Sequence, residues 1–427
     1  MSAEAARSDP RHRSLALDAL RQGLAALGWT MLAAETWSFL AYFLAGRPFR
    51  AWSFVKIGWL YLLTFSRVGL DVTIGRSFSE IVNPGVAGES VYRVHLAFLL
   101  GSALAGWLLF RAGRAVASRV EMSPLGRAAI GAAIAPAYAV PLFLVSFLAV
   151  VRFPEQGVPD VRAVAWQALV FPLVMAAAFG AAGGLASASD EIRERRLGRW
   201  IVRWVEGGWV GLLAGLTLAF AGLLVLAAVF PDSTGAYARW LVRHGHVGAL
   251  LFAHEVLSLP NHAMFVLAPS MGGCDTLSAA GSSAQMLCTG RFTSPEVLLY
   301  VPFVRGVPTG SDLGIVTGTL PSGTRMLLFA PFAATLLGAR RAARGLERAK
   351  ERIATGIGAG IAFAASVTVI AWASTASLRI PDTAAGRGIW ITLGPDLLRT
   401  AALALGWGVV GGVIGAAIPD RSGRTVP

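Results

Sequence analysis

The sequence predicts an all-α protein, a polytopic transmembrane helix bundle of about eight spans, arranged as four hairpins plus a re-entrant or interfacial segment. Three observations lead there. The 427 residues are 55% hydrophobic and only 14% charged, where a soluble domain carries about a quarter charged residues. The apolar residues gather into runs able to cross roughly 30 Å of hydrocarbon as helices, and the charges cluster between those runs. Of 37 Lys and Arg all but Lys56 and Lys350 are Arg, and the net charge is +13.

The apolar runs lie near 23–46, 94–110, 128–151, 163–186, 209–230, 246–268, 326–339, 353–376 and 397–418. The first follows a basic segment, 1–22, and is too long for a signal-peptide core, so it is expected to be a retained span. Connections 1–22, 111–127, 187–208, 339–352 and 419–427 hold 21 of the basic residues in 84 positions. The other connections are less than half as dense. The positive-inside rule then places these five segments in the cytoplasm, with 1–22 and 419–427 as cytoplasmic ends of a bundle over 23–418 in the plasma (inner) membrane. External excursions follow at 47–92 and 231–324.

Each dense cluster must follow an even number of crossings from the last, yet three runs separate 187–208 from 339–352. The run at 246–268 contains His254, Glu255, Pro260, Asn261 and His262, and Pro disrupts a helix ladder unless neighbours compensate. It is therefore read as the segment that does not cross. In the first excursion, Trp52, Phe54, Trp59, Tyr61 and Phe65 mix with Lys56 and Arg67, the composition of an interfacial helix. A repeat is suggested by an apolar residue, Pro and an acid after outward runs: Phe153, Pro154, Glu155; Phe230, Pro231, Asp232; Ile380, Pro381, Asp382. Gly pairs at four-residue spacing, such as Gly180 and Gly184 or Gly411 and Gly415, predict close helix packing.

Few side chains carry chemistry. Glu35 sits within the first span, where a carboxylate costs about 2.5 to 3.5 kcal/mol on insertion scales; His95 and the histidines of 244–262 are its candidate partners. The polar candidates for lining a pathway are thus Glu35, His95, His254, Glu255, Asn261 and His262. His244, His246, His254 and His262 are weak zinc candidates, because the spacing matches no HExxH helix: position 258 is Ser. Cys274 and Cys288 fall in one polar external segment and can form a disulfide.

Neither Lys is followed by a hydroxyl residue, which removes the P-loop, and no GxSxG elbow or GxGxxG fingerprint is present. No cofactor is predicted, and an enzyme is not the expectation. The function expected is a small-solute permease or channel-like protein without its own ATPase. The alternatives are a non-transporting membrane scaffold or envelope-assembly factor, and an intramembrane metal-dependent enzyme. Expected partners are anionic lipid headgroups against the Arg-rich linkers, a small solute, and proteins bound through the external loops; nucleic acid is excluded.

Overall fold

A computed structural model of the chain describes residues 10–44, 53–75, 90–153, 158–229, 252–279, 282–288, 291–292, 318–319, 327–380 and 389–418. The protein is mostly helical, and among the described residues five helical stretches are long and apolar enough to cross a membrane: Pro124–Leu148, Ala165–Ser187, Leu197–Gly222, Ala349–Ser374 and Leu397–Ala417. The chain divides into two compact units, Met1–Thr73 with Leu100–Ile192, and Ile74–Leu99 with Arg193–Pro427.

The first unit contains α1 (Pro10–Leu44), α2 (Ser53–Phe65), β1 (Leu70–Ile74), α3 (Leu99–Ala117), α4 (Pro124–Ala132), α5 (Ala135–Leu148), β3 (Val151–Phe153), β4 (Val158–Ala163) and α6 (Ala165–Ser187). The short α7 (Ser189–Glu194) follows. To the second belong β2 (Ser90–His95), α8 (Arg196–Val229), α9 (Leu259–Ser270), β5 (Cys274–Ala279), β6 (Ser282–Cys288), β7 (Arg291–Phe292), β8 (Gly318–Thr319), α10 (Phe329–Ala343), α11 (Ala349–Ser374), β9 (Ala376–Ile380), β10 (Ile389–Pro395) and α12 (Leu397–Ala417).

Strands correct the expectation of an all-α fold. In the first unit they run β3-β4-β1, and in the second β2-β9-β10-β5-β6-β7-β8, with antiparallel ladders. Phe153 and Ile380 prove to be the last residues of β3 and β9, so Pro154 and Pro381 follow strands rather than helices. Pro has no N–H for the ladder, which fits a strand end. The third copy, around Pro231, lies outside the described residues.

The two units share an order of elements: a long helix, a short helix, a strand, further helices (α3, α4 and α5 in the first, α10 and α11 in the second), a β-hairpin and a closing helix; in the second unit β6, β7 and β8 come between the strand and α10. Matching contacts recur with it. Helix α2 ends in a turn where Val68 N donates to Leu63 O (3.2 Å) and Arg67 N to Thr64 O (2.9 Å); α9 ends with Gly273 N on Ala268 O (3.1 Å) and Gly272 N on Pro269 O (2.9 Å). The left-handed residue is Arg67 (φ 61°) in one turn and Gly272 (φ 97°) in the other, the arrangement of a Schellman cap. Beyond it, Val164 N donates to Gly69 O (2.9 Å) and Asp396 N to Cys274 O (3.0 Å), each at the start of a closing helix.

Strand β1 pairs with β4 as β5 pairs with β10. In the first turn of the closing helix, Gln167 accepts from Gly69 N (2.7 Å), and its counterpart Arg399 donates to Gly272 O (3.0 Å). At the far end, Arg127 donates to Ser187 O and Arg352 to Ile418 O, each capping free helix carbonyls. Close glycine contacts match as well, Gly131 with Gly180 and Gly356 with Gly412. The repeat is therefore one of whole units.

Helix α2 corrects a second expectation. An interfacial helix exposes one face, but Gly58 and Leu60–Phe65 are all buried, with Leu62 and Leu63 fully enclosed. At 13 residues α2 is about 20 Å long, and α9, at 12, about 18 Å. Either alone falls short of a bilayer core.

Candidate functional site

The polar residues of 252–270 come together in the second unit. The segment is helical over 252–257, turns at Ser258 and continues as α9. Pro260 is not where it breaks. It occupies the first turn of α9, where the missing N–H costs nothing. Ser258 N reaches both His254 O and Glu255 O at 3.0 Å, and His262 N reaches Ser258 O at 3.0 Å, so the two pieces stay stacked.

Two helical turns separate Glu255 from His262, which puts both on one face. Their side chains meet at 2.6 Å between Oε2 and Nε2, with 13% and 7% of each exposed. A hydrogen bond of that length is short, and the low dielectric around an enclosed pair strengthens it. Asn261, on the neighbouring face, acts as a surrogate peptide group. Its Nδ2 donates to Ala97 O (2.8 Å) and its Oδ1 accepts from Leu99 N (3.1 Å), satisfying buried backbone where β2 gives way to helix.

Beside His262 lies a small cleft lined by Leu96, Ser258, Asn261, His262, Phe265, Ser374 and Ala376. It has room for about one water molecule. Ser258 is 3% exposed, and its Oγ has no hydrogen-bond partner among the described residues. Apolar packing surrounds α9: Met264, Leu267 and Met271 are enclosed with Leu212, Ala334, Phe363, Val367 and Ala404.

The remaining predicted residues sit elsewhere. His254 stacks on Phe98 with ring centroids 5.5 Å apart, and His95 packs against Trp390 at 5.7 Å. Glu35 belongs to the first unit, where neither carboxylate oxygen has a partner among the described residues. His244 and His246 lie outside the described residues. Among those described, no three His, Cys, Asp or Glu side chains converge as a metal-binding group. Cys274 is disulfide-bonded, and the ladder sets it opposite Cys288. Its neighbour Asp275 is buried, which pushes that carboxyl well above the ordinary range by desolvation.

Sequence reasoning missed Ser258, Ser374 and Asp275. A serine or a lone acid in a polar segment stands out only through the elements that pack around it, and local sequence does not say which elements those are. The Gly272-Gly273 pair, by contrast, was a readable sign of a turn.

No family model matches the chain, and neither a curated protein nor a solved structure is significantly similar to it.

Proposed function

We propose that the chain is a small-solute permease or channel-like protein of the plasma membrane, without an ATPase of its own. In this reading eight helical stretches cross the bilayer: α1, α3, α4 with α5, α6, α8, α10, α11 and α12. Both termini are cytoplasmic, and four crossings return the chain of each unit to its starting side. Broken and short helices at membrane depth border cavities in transporter designs, and parallel repeats are a known plan.

The observation that carries the reading is the enclosed Glu255–His262 pair beside the Ser258 cleft, on a helix that turns back at Gly272 instead of running on. Such a pair sits where polar groups are expensive, and intramembrane ionisable residues mark solute or proton paths.

The test uses purified protein in liposomes with entrapped pyranine. A panel of amino acids, sugars, carboxylates and inorganic cations is added outside, and volume and internal pH are followed. Wild type should respond to at least one compound, and Glu255→Gln and His262→Gln should lose that response while retaining fold and insertion. No response to any compound, or variants as active as wild type, sinks the reading. Topology has its own check: a cysteine placed at Ser282 should react with an impermeant maleimide from outside only.

One observation favours a second reading. Among the described residues of the second unit, seven strands lie between helices, a surface suited to protein partners, as a scaffold or envelope-assembly factor requires. That reading expects Glu255→Gln and His262→Gln to be harmless, with changes in the strands disabling.

A further inference from the structure

Among the described residues, Glu35 is an acid with both side-chain oxygens enclosed and without a hydrogen-bond partner. Helix α1 carries a buried stripe of Ala26, Thr30, Ala34, Ser38 and Ala41, and α2 lies antiparallel along it. Ser38 Oγ donates to Phe54 O, and one turn away the Glu35 carboxyl group rests on Gly58. A Cβ at position 58 would fall 2.6 to 2.8 Å from Glu35 Oε2, Cδ and Oε1. Glycine is what leaves space for the acid. Both carboxylate oxygens are enclosed and neither has a hydrogen-bond partner among the described residues.

The ionisable groups on the elements packed against this part of α1 are few. Helix α2 carries Lys56 and Tyr61, α5 carries Tyr138, and Tyr42 lies two turns along α1 itself. Lys56 is exposed, and none of the four bonds to either oxygen of Glu35. The corresponding part of α8, Gly207–Val229, contains no charged residue at all. The second unit's long helix thus forms without such an acid.

An enclosed carboxylate without donor or counter-ion is the least favourable state of this side chain, while the neutral acid fits the same space. We propose that Glu35 is a proton-binding site of the first unit, a carboxyl that takes up and releases one proton between α1 and Gly58. The ligand class is the proton. The inference is independent of whether the second unit's cleft passes a solute.

The experiment uses the full-length wild-type protein in its membrane, treated with dicyclohexylcarbodiimide, which adds across a protonated carboxyl in apolar surroundings to leave a stable acylurea. Peptide mass spectrometry should find the adduct on Glu35, with labelling falling severalfold as the pH rises and unchanged by sodium or potassium. Infrared spectra give a second readout, a carboxylic C=O band present in wild type and missing in Glu35→Gln. Protection by sodium or potassium would overturn the proposal in favour of a metal-cation site. An unlabelled Glu35 peptide, together with no C=O band lost in Glu35→Gln, would overturn it outright.

Discussion

Two glycines of α12, two residues apart, should respond to alanine with opposite signs. At Gly408 an added Cβ would stand 2.4 Å from Gly360 O and 2.8 Å from Gly360 C, both backbone atoms of α11. Favourable contact between such atoms begins near 3.5 Å, so α11 and α12 must part by about 1 Å along their crossing. Overpacking of this kind costs typically 1 to 3 kcal/mol, offset by about 0.5 to 1 kcal/mol because alanine suits a helix better than glycine. The net loss for Gly408→Ala is then about 1 kcal/mol, and at most about 2.5 kcal/mol.

At Gly406 nothing lies within 4 Å of the added atom. Only the helix preference remains, and Gly406→Ala should gain about 0.5 to 1 kcal/mol. The measurement is unfolding in a mild detergent at a fixed heating rate, since membrane proteins seldom unfold reversibly and the comparison must be like for like. Gly408→Ala should melt several degrees below wild type and Gly406→Ala slightly above it. Equal shifts for both, or an unmoved Gly408→Ala, would refute the account of how α11 and α12 meet.

Three further outcomes follow from the second unit. Asn261→Ala leaves Ala97 O and Leu99 N without partners and should cost about 2 to 4 kcal/mol, and Asn261→Asp should be no better, because it sets a carboxylate oxygen against Ala97 O; chemical unfolding of both variants checks this. Asp275 holds its proton longer in the folded chain than in the unfolded one, so its contribution to stability falls as pH rises above the ordinary carboxylate range. Asp275→Asn should flatten that part of the pH–stability curve and be the more stable protein at neutral pH, as melts across a pH series will record. Gly272→Ala meets only Leu403 Cδ2, at 3.9 Å, yet is left-handed; it should lose about 1 to 2 kcal/mol, more than Gly272→Asn, when the two are melted side by side.

Helices α5, α6, α8, α11 and α12 were legible because a long uncharged run has few other uses. Their hairpins were not. Val151–Phe153 and Ala376–Ile380 are too short for an alternation to stand out, and each abuts a helix whose apolar run swallows it. The interfacial reading of 52–70 failed for a related reason: aromatic and basic residues suit a headgroup layer, but the same residues can be enclosed by partners that local composition does not reveal. At the site, the sequence brought Glu255, Asn261 and His262 into view through sheer scarcity of polar residues in an apolar run. It placed the break at Pro260 because proline is the strongest local signal, whereas the break falls at Ser258, whose neighbour sequence accommodates Pro260 at a helix start.

The repeat of whole units gives the left-handed turn after each short helix a comparison with itself. Glycine adopts that shape without strain, and Gly272 does so in the second unit. Arg67 adopts it in the first, where an L side chain pays about 1 to 2 kcal/mol, and its guanidinium is buried enough to hold its pKa down to about 10. Two copies of one turn are therefore built with different strain. The second rests in a conformation that glycine adopts freely, and the first carries the strain of an L residue, which a glycine at position 67 would relieve.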